Sequence, residues 1–279
     1  MATAGTRTGR RWRVGGQTAL GLLIVLALFV AAVFAPAIAP HDPYATRPDH
    51  ALQAPGGSFW FGTDALGQDI ASRVVYGARI SLWIALGAVG LACVLGIPVG
   101  AVAGYAGGRI DTLLMRAADM LMALPSIVLA LTITAALGRG LINVVIAVGI
   151  AESPRFARQM RAAVLELRER DFVLAARALG ASPPAILWRH ILPGALGPLI
   201  VIATLGLGTA VLDAAGLGFL GLGAEPGTPE WGTMLSDNVA YLRDYPWICL
   251  YPGLAIAATV LGFNLLGDGL RAALDPRSG

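Results

Sequence analysis

The chain is 279 residues long, 56% hydrophobic and 13% charged, with a net charge of +3. A soluble core of this size needs a larger charged shell, so the composition is that of an integral membrane protein. All 20 basic residues are arginine; a P-loop needs a lysine to reach the β- and γ-phosphates, so this chain is no P-loop ATPase and any ATP energy must come from another subunit.

The arginines gather on one side of the expected topology, as the positive-inside rule requires. The basic balance therefore marks orientation in a bilayer and not a nucleic-acid partner. Cys93 and Cys249 stand singly in apolar runs without a C-x-x-C pair, which supports neither a disulfide framework nor a zinc site. The three histidines, His41, His50 and His190, are scattered. No H-E-x-x-H or Ser/His arrangement is present, so a membrane-embedded hydrolase has no constellation to work with.

Residues 1–18 form a basic N-terminus, with Arg7, Arg10, Arg11 and Arg13 ahead of an apolar run at 19–39. That run matches ~30 Å of hydrocarbon and exceeds the h-region of a signal peptide. Despite A-x-A spacing at its end, it reads as an uncleaved first transmembrane helix with a cytoplasmic N-terminus. Residues 40–78 form a polar extracytoplasmic segment turned at Pro40, Pro43, Pro48 and Pro55. His41 and His50 there read as isolated surface residues. Residues 79–272 supply a five-helix core, and 273–279 a cytoplasmic tail.

The second span is expected from Ile80 to Tyr105. Gly96, Gly100 and Gly104 recur every four residues and share one helix face, a seam along which another backbone approaches closely. Whether that backbone belongs to this chain or to a partner is open at this stage. After a turn at Gly107–Asp111, a third span runs from Thr112 to Leu137 with a kink at Pro125. Arg116 and Asp119 lie three apart and are expected to pair. Asp119 is an ionisable group within a span, open to a structural or a pathway role.

A turn at Gly138-Arg139-Gly140 precedes a fourth span from Leu141, which loses apolar character after Ile150. Glu152 is expected to pair with Arg155, or one turn on with Arg158 or Gln159. The helix then emerges into the cytoplasm and runs into the loop 165–193, LELRERDFVLAARALGASPPAILWRHILP. Asp171 is expected to cap a helix starting at Phe172, and Gly180 to end it with a left-handed residue. Ser182, followed by Pro183 and Pro184, starts a second short helix. Two short helices with a sharp turn make a rigid knob in water. The fifth span runs from Gly194 to Phe219 and contains Asp213, another pathway or structural candidate. An acidic outer loop at 224–246 and a sixth span, Trp247 to Leu270, complete an all-α membrane protein with both termini inside.

Several segments carry a resemblance. Ala175-Ala176, Gly180 and Leu192-Pro193 sit at the spacing of the EAA loop, the signature of permease subunits of bacterial ABC importers. Leu174 stands where that loop usually has its leading Glu, which removes the N3 half of a capping box with Asp171 and a charged contact with a partner. The stretch FWFGTDALGQDIASRVVYGARISL, Phe59 to Leu82, resembles the segment before the second span of dipeptide, oligopeptide and nickel permeases of the second-subunit kind. FLGLG with TPEWGTML (219–235) and the ending FNLLGDGLRAALDPR are similar to the same family.

The resemblance implies a six-helix, type I importer (MetI-like) permease fold in the bacterial plasma membrane. It implies half of a translocation pathway for dipeptides, oligopeptides or another small solute such as nickel or glutathione. The implied partners are a homologous second permease, two cytoplasmic ABC ATPases that bind the ATP and Mg, and an extracytoplasmic solute-binding protein. The ATPase contact would fall on Asp171, Phe172, Leu174, Ala175, Ala176, Arg177, Leu179, Gly180, Ala181 and Ser182. No cofactor, metal or catalytic residue is implied in this chain. An ion-coupled secondary transporter is the rival class, and rests only on Asp119 and Asp213.

Overall fold

The computed structural model describes residues 16–274. The arginines at 7–13 and the tail beyond 274 lie outside the described residues. The first helix, α1 (Gly16–Val33), ends in a short α2 (Ala35–Ile38). An irregular segment with one 3₁₀ turn then leads to α3 (Ile70–Ala106), at 37 residues longer than the expected second span. Its start is fixed by Asp69, whose carboxylate accepts from the Ser72 N–H at 3.1 Å. Its end is fixed by Gly107, at φ +65°.

The expected third span is two helices, α4 (Gly108–Met122) and α5 (Ser126–Leu137), bent by 87° at the break before Pro125. Proline lacks the N–H that would continue the ladder and forces the preceding residue out of the helical region. After the turn at Gly138 and Gly140, both at positive φ, α6 runs unbroken from Leu141 to Leu167. Then follow α7 (Asp171–Ala178), α8 (Pro183–Ile186), a π-helical turn at Leu187–Ile191, and α9 (Leu192–Phe219). The short outer α10 (Trp231–Asn238) and α11 (Trp247–Leu274) end the described chain.

Four helical stretches are long and apolar enough to cross a bilayer: Gly16–Val33, Ile70–Ala106, Pro183–Phe219 and Trp247–Leu274. The bent α4–α5 pair makes a fifth if taken as one span. The expected six is not reached on this count, because α6 carries Glu152, Arg155, Arg158, Arg161 and Glu166 along its length.

The glycine seam is an intrachain one. A Cβ on Gly96 would stand 2.3 Å from the Ser153 carbonyl oxygen, and one on Gly100 2.1 Å from that of Ala157. A Cβ on Gly104 would meet Val164 Cβ at 2.8 Å. Thus α3 lies backbone to backbone on α6, and only glycine permits that approach. Around this pair the main core gathers Leu82, Ala85, Ala88, Ala92, Val148, Phe156, Val211 and Leu217 from α3, α6 and α9. Helix α11 packs between α1 and α9.

Candidate functional site

The knob at 165–193 is built by backbone geometry more than by side-chain caps. Asp171 is the first helical residue of α7 and not its cap; Arg170 holds that position without a side-chain bond. Leu174 consequently does not occupy the position a capping box with Asp171 would need. The helix ends as expected at Gly180, φ +83°. The Gly180 N–H donates to the Arg177 carbonyl (3.0 Å) and the Ala181 N–H to that of Ala176 (3.1 Å), the paired bonds of a Schellman ending. Ser182 precedes α8 in extended conformation, with proline at the first helical position, but its hydroxyl makes no cap bond. Nor is α8 a separate short helix: Pro183–Phe219 is one 37-residue stretch through the π turn.

Beneath the knob lies a second, smaller core of Met160, Val164, Val173, Ile186, Ile191, Ala195 and Leu199. Val173, Ile186 and Ile191 are fully buried, each stabilising the join by about 1.5–3 kcal/mol. Val173 is absent from the expected contact set, because adjacent apolar Phe172 and Leu174 hide which residue of the run turns inward. Arg168 Nη1 donates to the Gly104 carbonyl at 2.9 Å, and the Arg177 guanidinium stands 6.0 Å from the Tyr105 ring. These contacts weld the knob to the ends of α3, α6 and α9.

Its outer surface displays Asp171, Phe172, Leu174, Ala175, Arg177, Leu179, Gly180 and Ser182, with Ala176 and Ala181 half-buried. Leu179 is 88% exposed at the tip. Apolar side chains standing out from a braced helix end mark a contact surface.

The expected Arg116–Asp119 pair does not form. Asp119 instead bonds Arg158 of α6 at 2.5 Å, across the contact between α4 and α6. Asp111 joins Arg161 through two bonds of 2.6 and 2.7 Å, a bidentate clamp the sequence reading missed. The Glu152–Arg155 pair forms as expected, at 2.9 Å, with Glu152 2% exposed. Asp213 is also buried, and one of its carboxylate oxygens has no partner. The polar groups acting on it are the Ser126 hydroxyl of α5 and Glu152 and Arg155 of α6. Four residues distant in sequence thus meet where α5, α6 and α9 converge.

At the other end, Arg73 is buried and staples two outer segments. Its guanidinium donates to the Pro43 and Gly227 carbonyls, both at 3.2 Å, and to the Gln68 side chain. It stands 3.6 Å from Asp64. Burial pushes the Asp64 carboxyl above its usual range, opposed by the Gln68 N–H, the Arg73 guanidinium and the Leu66 N–H. Glu230 caps α10, accepting from the Gly232 and Thr233 N–H groups at 2.9 and 2.7 Å. The Trp231 indole donates to the Val74 carbonyl at 3.0 Å. His41 is only partly a surface residue, since its Nδ1 lies 3.3 Å from Asp69. Among the described residues no group of three His, Cys, Asp or Glu converges to hold a metal.

Residues 96–279 match the model of the inner membrane component of binding-protein-dependent transport systems. The chain belongs to this permease family. Residues 19–55 match the N-terminal transmembrane domain of oligopeptide transport permease C. The dipeptide transport permease DppC of Alkalihalophilus pseudofirmus is 48% identical over 92% of this chain and 85% of its own length. The di/tripeptide permease DppC of Pseudomonas aeruginosa is 47% identical over 92% and 87%. The glutathione permease GsiD of Escherichia coli is 46% identical over 96% and 89%.

Among solved structures, an inward-facing conformation of the MetNI methionine ABC transporter has a TM-score of 0.61 at 22% identity. It covers 73% of this permease and 97% of that chain. The fold is the MetI-like one of type I importers, and the permease is a multi-pass inner-membrane protein. As a permease subunit it is not an enzyme. Its family implies ATPase and binding-protein partners.

Proposed function

We propose that this permease forms half of the translocation pathway of an ATP-driven importer for short peptides, and that Leu179 and its neighbours dock on a cytoplasmic ABC ATPase. The observation that carries the coupling role is the exposed apolar tip of a knob whose own buried core joins it to α3, α6 and α9. A force applied at Leu179 moves the ends of three long helices together, because the join between them is a close-packed core and not a hinge. The peptide substrate is supported by the dipeptide and di/tripeptide relatives; glutathione, itself a tripeptide, belongs to the same class.

In this reading α6 is the sixth span, its apolar half Leu141–Ala151 crossing beside α3 and its charged half entering the cytoplasm. Both termini then lie inside, and the segment from residue 40 to the start of α3, with the loop around α10, faces outward. A second homologous permease completes the pathway, two ATPases hold the ATP and Mg, and a solute-binding protein delivers peptide to the outer face.

The test is reconstitution of the complete complex in vesicles with its binding protein and a labelled dipeptide. Uptake is expected only with ATP inside, and Leu179→Asp is expected to lower it about tenfold, an apolar contact replaced by a buried charge. ATP-independent uptake would refute the reading. So would undiminished uptake by the Leu179→Asp complex.

A further inference from the structure

The charge cluster at the convergence of α5, α6 and α9 is unbalanced. It holds two carboxylates, Asp213 and Glu152, against one guanidinium, that of Arg155. Glu152 satisfies itself on Arg155 at 2.9 Å. Asp213 keeps one buried oxygen with no donor, although its side chain is almost fully enclosed. A buried carboxylate oxygen of this kind is a strong acceptor for an N–H group.

The start of α5, which supplies the Ser126 hydroxyl beside Asp213, is lightly packed. Ser126 is the first residue of α5, immediately beyond the 87° break. The 12-residue α5 buries only Ala130 and Thr134 among its own residues, so little packing holds its first turn in place. Arg155 is 37% exposed and leads from the cluster toward the surface. A displacement of the start of α5 would take the Ser126 side away from Asp213.

We propose that Asp213 is a substrate contact, which receives the protonated amino terminus of a short peptide when the start of α5 moves aside, Glu152 and Arg155 fixing its surroundings. This rests on the peptide reading above. An ammonium supplies the donor this oxygen lacks and the positive charge the cluster is short of. A metal ion would need more converging ligands than the described residues provide.

The test uses the complete reconstituted complex with its binding protein and a labelled dipeptide. Asp213→Asn is expected to lower uptake at least tenfold while binding-protein-stimulated ATP hydrolysis stays within twofold, and Asp213→Glu to restore uptake to within threefold. A parallel fall of uptake and hydrolysis, or unchanged uptake, overturns the assignment. Ser126→Cys, made with Cys93 and Cys249 replaced by alanine, gives a second measurement that does not depend on how the Asn variant assembles. Its alkylation by a cationic thiol reagent should quicken during ATP turnover and slow with saturating dipeptide. A transporting complex whose labelling ignores the dipeptide overturns the assignment. If the wild-type complex imports no dipeptide at all, the peptide reading itself has failed; if it imports dipeptide but either variant result fails, only the role of Asp213 is lost.

Discussion

Gly100→Ala is the sharpest perturbation of the seam between α3 and α6. The added Cβ would sit 2.1 Å from the Ala157 carbonyl oxygen, where ordinary contact begins at 3.4 Å. Both groups are helix backbone, so neither yields by a rotamer change, and α3 and α6 must separate locally by about 1 Å. A gap of that size forfeits roughly a quarter to a half of the dispersion energy of each atom pair it opens. The total should resemble other overpacked cores, about 1–3 kcal/mol. Gly90→Ala is the control, since nothing lies within 4 Å of its Cβ position. The assay is thermal unfolding of the purified complex in detergent, followed by uptake in vesicles. Gly100→Ala should melt several degrees lower and lose uptake, while Gly90→Ala should match wild type. Indistinguishable melting of the two variants would refute the account of the seam.

Gly180→Val forces a β-branched residue to φ +83°, at a cost of about 1–2 kcal/mol; dipeptide uptake should fall while the protein still inserts, as read by membrane fractionation. Val173→Asp places a charge in the cytoplasmic core and should loosen the knob by several kcal/mol, seen as faster proteolysis near Arg177 in inside-out vesicles. The Asp64 carboxyl is raised above 3.8 by burial, so the folded outer segment binds a proton more readily than the unfolded one. Its contribution to stability therefore falls as pH rises through the raised pKa and recovers as pH falls toward 3.8. Hydrogen-exchange protection factors over residues 40–69, corrected for the intrinsic pH dependence of amide exchange, should rise on mild acidification, and Asp64→Asn should flatten that dependence.

Much of the architecture was legible because its signals are local. Three glycines at four-residue spacing defined a close-approach face, though only the fold could say that α6 fills it. Gly180 announced its left-handed turn through the need for a residue without a Cβ. Partners across helices are not legible in local spacing. Arg116 is three residues from Asp119, yet α4 packs on α6 and Asp119 bonds Arg158 there. Asp171 lies one position inside its helix, a boundary that capping preference alone does not fix. The meeting of Ser126, Glu152, Arg155 and Asp213 draws on three helices, and no spacing rule reaches across such distances. Arg73 gave no sequence sign of its burial, because its carbonyl partners come from backbone whose path depends on the whole outer fold.

The unbroken run from Pro183 into α9 sets a mechanical ratio. From Pro183 to Asp213 an α-helix measures about 45 Å at 1.5 Å per residue. If such a rod pivots about its middle by ~5°, each end swings ~2 Å in opposite senses, by the same dimensions. That amplitude is small beside a subunit, yet it is comparable to the interatomic clearances that keep a carboxylate covered. A displacement applied at Pro183 thus needs no relay of intermediate parts to be felt at Asp213.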